Sequence, residues 1–336
     1  AVLTEKYYGL EHPLVADNLN NLAVLYEEKE QFSEAEMLYN RSLSIQEKAF
    51  GSDHPNVAKS FKNLAHLYLG QLRIEEALVN SRHSVEIYQK RFSQGYGEQS
   101  KSSKSEQKQI SNVFFLHLHL LAKSIQKASR DTKIHLVSEG FNTAQFTTNS
   151  EIASTLARLS ARFEVGEGEL ADAVRNYQDL FDQRESLEAL LLKELGQASE
   201  IRNEKKIKNF RIQLVKIQSS LINAREQLEK DFPAYADLAR PQPLGINEVK
   251  KLLNQTEALI TYIVGDEESY LWVIHPNLEE FFILPTGEKE LTKIISQLRK
   301  ALNPQSGLQS FDLELSQRLY EVLLKPAEAS LIGVED

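Results

Sequence analysis

Along the first two-thirds of the chain, apolar positions recur at helical spacing. Leu19, Leu22, Ala23 and Tyr26 fall on one helix face. After a Gln31-Phe32-Ser33 turn, Ala35, Leu38, Tyr39 and Leu43 mark a second face. The pattern then repeats after 42 residues. Gly9 returns as Gly51, His12-Pro13 as His54-Pro55, and Val15-Ala16 as Val57-Ala58. Asn21-Leu22-Ala23 returns as Asn63-Leu64-Ala65, Leu25-Tyr26 as Leu67-Tyr68, Ala35 as Ala77 and Ser42 as Ser84. Pro13 and Pro55 suit a first helical turn, where a missing N–H costs nothing. Small Ala23 and Ala35 let paired helices approach, so each unit predicts two helices that cover a neighbour's apolar face.

Further along, Ile207, Phe210, Leu214, Ile217, Leu221, Ala224 and Leu228 alternate in steps of three and four, a heptad seam. Leu170, Ala173, Tyr177, Leu180, Leu187 and Leu191 offer a matching stripe interrupted by Arg184. A polar joint at Gln197–Asn203 lets the two arms fold back as an antiparallel hairpin, each arm about 45 Å long at 1.5 Å per residue. Pro233, Pro241 and Pro243 end the helical run, and residues 257–264, 270–275 and 280–284 read as three short β-rich strands. Their short turns imply an antiparallel meander. Amphipathic helices follow around Leu291–Leu302 and Leu313–Leu324, the second stopping near Pro326. The expected organisation is mainly α. It comprises a helical-repeat superhelix over 1–93, a flexible loop over 94–109, degenerate repeat helices over 110–164, the hairpin over 165–232, and a small α/β piece over 245–336. Within 110–164, separate helices are expected at about 132–147 and 150–164, and Gly166-Glu167-Gly168 is expected to break the run before a helix over 168–200.

The residues Asn-Leu-Ala-x-Leu-Tyr after His-Pro-x-Val-Ala resemble the tetratricopeptide repeat in its 42-residue, kinesin-light-chain-like form. Residues 1–8 resemble the end of a preceding second helix. In such an array the first helix of each pair lines the concave surface. Taking Leu22 and Leu64 as core positions, helical offsets place Asp17, Asn20, Val24 and Glu27, then Lys59, Lys62, His66 and Leu69, along a groove. Mixed amide, charged and apolar groups suit an extended peptide, with Asn20 serving its backbone. The same positions could also be plain solvated helix surface.

Composition narrows the chemistry. Thirty-nine Lys and Arg against 48 Asp and Glu leave a net charge of −9, the wrong sign for a nucleic-acid coat or a polybasic membrane binder. The basic cluster Arg202, Lys205, Lys206 and Lys208 reads as a solvated hairpin tip. No apolar run reaches the roughly 18 residues of a membrane span. The absence of cysteine excludes a thiol nucleophile, disulfides and thiolate metal sites in these 336 residues. No metal or cofactor is expected. His117 and His119 are two apart, about 200° around a helix, and cannot share a metal. His275 ends a strand before Pro276 with no thiol or acid partner in sight, and Asp266-Glu267-Glu268 reads as a turn. No Gly-x-Ser-x-Gly, Walker or His-Glu-x-x-His motif occurs. Ala1 as first residue and Met37 as the one methionine suggest a processed chain or a fragment.

A second resemblance spans 160–192, 232–253, 257–274 and 319–328. These runs resemble the region that precedes the caspase-like core of CHAT-domain proteins. The resemblance implies a parent protein whose catalytic His and Cys lie beyond residue 336, so no catalytic residue is assigned here. The expected function is a protein-interaction scaffold in a soluble, cytoplasmic setting. It would bind a protein or peptide, without direct nucleic-acid or membrane contact, and regulate that protease core. The alternative is a structural spacer or a homo-oligomer joined through the heptad seam.

Overall fold

The computed structural model describes residues 2–93, 104–163, 168–239, 243–302 and 312–334. It divides into two compact units, 1–120 with 148–242, and 121–147 with 243–336.

The first unit opens with α1 (Val2–Tyr8), α2 (Pro13–Glu28), α3 (Phe32–Phe50), α4 (Pro55–Gly70) and α5 (Ile74–Ser93). The 42-residue step seen in the sequence reappears contact by contact. His12 and His54 are N-caps whose Nδ1 accepts the N–H of Leu14 and Asn56, each at 3.1 Å. Tyr8 packs on the His12 ring and Phe50 on the His54 ring, with centroids 4.6 and 4.5 Å apart. Ser42 Oγ donates to the Ala16 carbonyl and Ser84 Oγ to that of Ala58, both at 2.8 Å. Lys48 pairs with Glu11, and Lys90 with Asp53. Gly9 and Gly51 both sit at φ +87°. Gly51 has ψ 161°, a region open almost only to glycine. Glu30 and Leu72 both sit at φ 58° in the turns inside each pair. Ala23, Ala35, Ala65 and Ala77 are fully buried, as the close approach of paired helices requires. Leu64 is core, but its counterpart Leu22 is only half-buried.

Helix α6 (Lys104–Ile125) begins inside the stretch expected to be a loop; residues 94–103 of that stretch lie outside the described residues. His117 is buried on α6, its Nδ1 2.9 Å from Ser81 Oγ of α5. The two helices expected near 132–147 and 150–164 are one, α7 (Arg130–Phe163). The intervening Thr147-Thr148-Asn149-Ser150 lowers helix propensity but contains no Gly or Pro to stop it. The expected break at Gly166-Glu167 falls outside the described residues.

Helices α8 (Glu169–Leu195) and α9 (Glu204–Asp231) pack as the antiparallel hairpin, and the short α10 (Pro233–Ala239) folds back on it. Tyr177 and Phe181 of α8 meet Leu221 and Leu228 of α9, flanked by Ile217 and Ala224, so the heptad seam is closed within the chain. Arg184, the break in the stripe, is only 1% exposed and lays its guanidinium 4.4 Å from the Phe181 ring centre. Asn203 caps α9, its side chain accepting the Lys206 N–H at 3.0 Å. Near the tip, Leu191, Leu195 and Ile207 form a cluster with Phe210, Leu214 and Phe50 of α3. Arg211 donates to the carbonyls of Lys48 (2.9 Å) and Ala49 (2.5 Å), capping the end of α3 with a cation.

In the second unit, β1 (Leu259–Val264), β2 (Ser269–His275) and β3 (Leu278–Leu284) form an antiparallel sheet in the order β1-β2-β3. Central β2 is buried on both faces, which explains its uninterrupted apolar run. Leu271 and Val273 pack with Leu284, Ala327 of the 3₁₀ segment Lys325–Leu331, and Leu323 of α13 (Leu313–Leu323). Tyr270 and Trp272 point to the opposite face; Trp272 is fully buried, meets Phe281 and Phe141, and donates Nε1–H to the Val137 carbonyl at 3.2 Å. Helix α11 (Ile246–Leu252) buries Ile246 and Val249, and α12 (Glu288–Leu302) buries Leu291, Ile294 and Leu298. At Gly287, which precedes α12, a Cβ would fall 2.0 Å from the Asp266 carbonyl oxygen, so the 265–268 turn can close only over glycine.

Candidate peptide-binding face

Helices α2 and α4 are the first helices of their pairs, and their parallel rows carry the expected groove residues. Successive positions along them are Asp17 and Lys59, Asn20 and Lys62, Val24 and His66, Glu27 and Leu69. Asp17, Val24, Lys59 and His66 are exposed, with Val24 at 39%. Lys62 and Leu69 are half-buried.

Two of these residues are committed to the fold. Asn20 is only 8% exposed, and its Oδ1 accepts from Asn63 Nδ2 of α4 at 2.9 Å. The side chain expected to serve a peptide backbone is therefore first a strut between repeats. Glu27 is the second strut: it accepts from Tyr39 Oη at 2.9 Å and faces His66 Nδ1 at 2.8 Å. Burial raises the Glu27 pKa, but the His66 and Tyr39 hydrogen bonds and the nearby Lys62 charge outweigh it, leaving the carboxyl below its usual range. Burial, then Glu27, push the Tyr39 hydroxyl upward, so it stays a donor. Asp17 accepts from Gln46 of α3 at 3.2 Å but remains solvent-facing.

Lys59 and Lys62 form the open end of the row. Burial lowers the Lys62 pKa, the like charge of Lys59 lowers it further, and Glu27 opposes both. Two adjacent ammonium groups, one poorly hydrated, gain from an added anion. The sequence offsets put these positions on α2 and α4, where they lie, but missed the ties through Tyr39, Gln46 and Asn63. Their signal was present, since Asn63 lies on the repeated Asn-Leu-Ala run, but its tie to Asn20 needs the distance between helices.

Residues 2–48 and 14–90 each match the family model for the tetratricopeptide repeat. The opening helices are tetratricopeptide repeats. That match ends at residue 90, and no curated protein matches the chain. Among the described residues, no group of three or more His, Cys, Asp or Glu could hold a metal ion, and no helix is long and apolar enough to cross a membrane. His275, at the end of β2, accepts the Asn277 N–H on Nδ1 at 3.4 Å, and its Nε2 lies 2.8 Å from the Gln255 carbonyl. That geometry closes a turn.

Proposed function

We propose that the chain is a protein-binding scaffold whose repeat groove takes an extended, partly acidic peptide, with Lys59 and Lys62 meeting the acidic groups, Val24 an apolar one, and Asp17 and His66 selecting at the flanks. Asn20 and Glu27 hold the two rows at the spacing the peptide spans. One observation carries the reading. The two repeats agree at the positions that build the fold, down to caps and glycine conformations, and differ at all four groove rows. Positions without a shared structural duty are the ones free to choose a ligand.

Peptide display on the immobilised full chain tests it. Enriched sequences should carry acidic residues and lose most of their binding to a Lys59→Glu, Lys62→Glu variant. Undiminished binding to that variant would refute the groove.

The resemblance of the later segments to the region before a CHAT core extends this reading. In the parent protein, a bound partner would regulate a caspase-like protease following residue 336, and the chain described here would itself be non-catalytic and act in the cytoplasm without direct nucleic-acid contact. The alternative reading is a structural spacer or homo-oligomer; with the heptad seam packed between α8 and α9, it would join chains by exchanging a hairpin arm or through another surface.

A further inference from the structure

The two capping histidines of the repeats are equivalent in sequence and in their bond to the helix start. In their surroundings they differ. His12 reaches the joint between α8 and α9, with Nε2 3.2 Å from the Gln197 carbonyl, while its Nδ1 accepts from Leu14. The residue is fully buried. Both ring nitrogens are thus committed: Nδ1 must be bare to cap α2, and Nε2 must carry the proton to reach Gln197. A second proton has nowhere to go except onto Nδ1, where it displaces the cap.

We propose that the tip of the α8–α9 hairpin is a releasable latch on the first repeat, opened when His12 takes a second proton. The latch has three parts: the His12–Gln197 bond, the Arg211 cap on the end of α3, and the apolar cluster of Leu191, Leu195, Ile207, Phe210 and Leu214 around Phe50. Protonation ends the α2 cap and places a buried cation near Arg202. Repulsion between these two charges pushes the α8–α9 joint away, against a His12–Gln197 hydrogen bond that the added charge strengthens. Release uncovers Phe50, which also stacks on His54, so it changes the seam between the first two repeats.

The charged surroundings favour the neutral ring. Arg202 of the joint faces His12 and is itself paired with Glu204; the Gln197 and Leu195 carbonyls oppose it by favouring the charged ring, and Asp17 on α2 adds a weaker pull the same way. Glu11 is paired with Lys48 of α3, Glu194 of α8 accepts the Asn203 N–H at 2.8 Å, Glu5 of α1 is paired with Arg41, and the Tyr8 ring of α1 packs on His12. Burial first, and Arg202 second, hold the His12 pKa below the ordinary histidine value of 6.5. The latch is therefore shut at neutral pH and opens in acid.

Amide hydrogen exchange on the full chain tests this between pH 7.5 and 4.5, corrected for the intrinsic pH dependence of exchange. A His54→Asn background removes the other histidine cap from the profile. Protection over residues 193–211 should fall at least about tenfold across a titration whose midpoint lies below 6.5. Arg202→Gln should move that midpoint upward, since it removes the neighbouring positive charge. His12→Asn keeps a cap acceptor but cannot titrate, so its tip protection should be flat with pH. Where that variant fails to fold, the Arg202→Gln shift decides. Equal tip protection at both pH extremes, or an unmoved or lowered midpoint in Arg202→Gln, overturns the latch.

Discussion

His54 gives the fold its most calculable weakness. The ring caps α4 through Nδ1, stacks on Phe50 and is held by burial, and then by the nearby Arg91 charge, at a pKa lowered to about 3 from the ordinary 6.5. The unfolded chain therefore binds a proton between these two values that the folded chain refuses. Stability contributed by the neutral ring is intact above pH 6.5 and is lost progressively as pH falls toward 3. At pH 5.0 the deficit is 1.5 units at 1.36 kcal/mol each, about 2 kcal/mol. His54→Asn separates titration from capping, because asparagine is an equally good N-cap and carries no charge. Repeat arrays unfold in pieces, so a single global transition would blur the effect. Exchange of the α4 amides reads it locally. From pH 7.5 to 5.0, the wild-type α4 should lose about 2 kcal/mol more opening free energy than the variant, roughly a thirty-fold greater rise in exchange. The His12 contribution is common to both chains and cancels. Identical pH profiles for wild type and His54→Asn would refute the assignment of a half-buried imidazole held neutral.

Gly51→Ala should destabilise the repeats by about 1–3 kcal/mol in urea titrations, because φ +87° with ψ 161° admits almost no side chain. Leu72→Gly should do the reverse by a few tenths to about 1 kcal/mol, since Leu72 is exposed and sits at φ 58°; a loss of stability there would contradict the turn geometry. Trp272 is the one tryptophan and fully buried, so its emission should be blue-shifted, shielded from acrylamide, and report on the second unit. Gly287→Ala should redden that emission and open the 265–268 turn, a disruption of about 3 kcal/mol or more given a Cβ 2.0 Å from backbone oxygen, while leaving the His54 titration unchanged.

What could be read in advance follows from how local each cause is. The repeats were legible because their signals lie within one 42-residue unit: proline at the first turn, alanine where helices touch, glycine where φ turns positive. The hairpin was legible because a heptad seam needs a partner and Leu170–Leu191 supplied one nearby. The meander followed from β-branched runs and short turns. The sequence misleads where the deciding partner is distant or where a local dip in propensity does not decide the outcome. Residues Thr147–Ser150 lower helix propensity without a Gly or Pro to stop it, so they read as a break inside α7. Lys104 reads as loop because the polar stretch before it carries no periodicity. Asn20 reads as a ligand group because its partner, Asn63, is 43 positions away and reaches it only after two helices have turned back.

The groove shows why two repeats are not simply one repeat used twice. A strut between neighbouring first helices requires complementary groups on facing rows, and Glu27 with His66, and Asn20 with Asn63, meet that requirement. Carrying the same struts one unit further would need an acid at position 69 and an amide at position 62, where the chain has Leu69 and Lys62. The polar ties therefore join α2 to α4 and are not handed on. On the row of α4 away from those ties, Lys62 has only a weak opposing charge in Glu27 and a like charge beside it in Lys59. Under the proposed reading, an arriving anion would relieve that imbalance, and the same substitutions that end the strut pattern would create the affinity. Restoring the pattern with Lys62→Asn should relieve the strain, leave the repeats at least as stable to urea, and weaken capture of acidic peptides; a variant that binds them as tightly would break the link between the two.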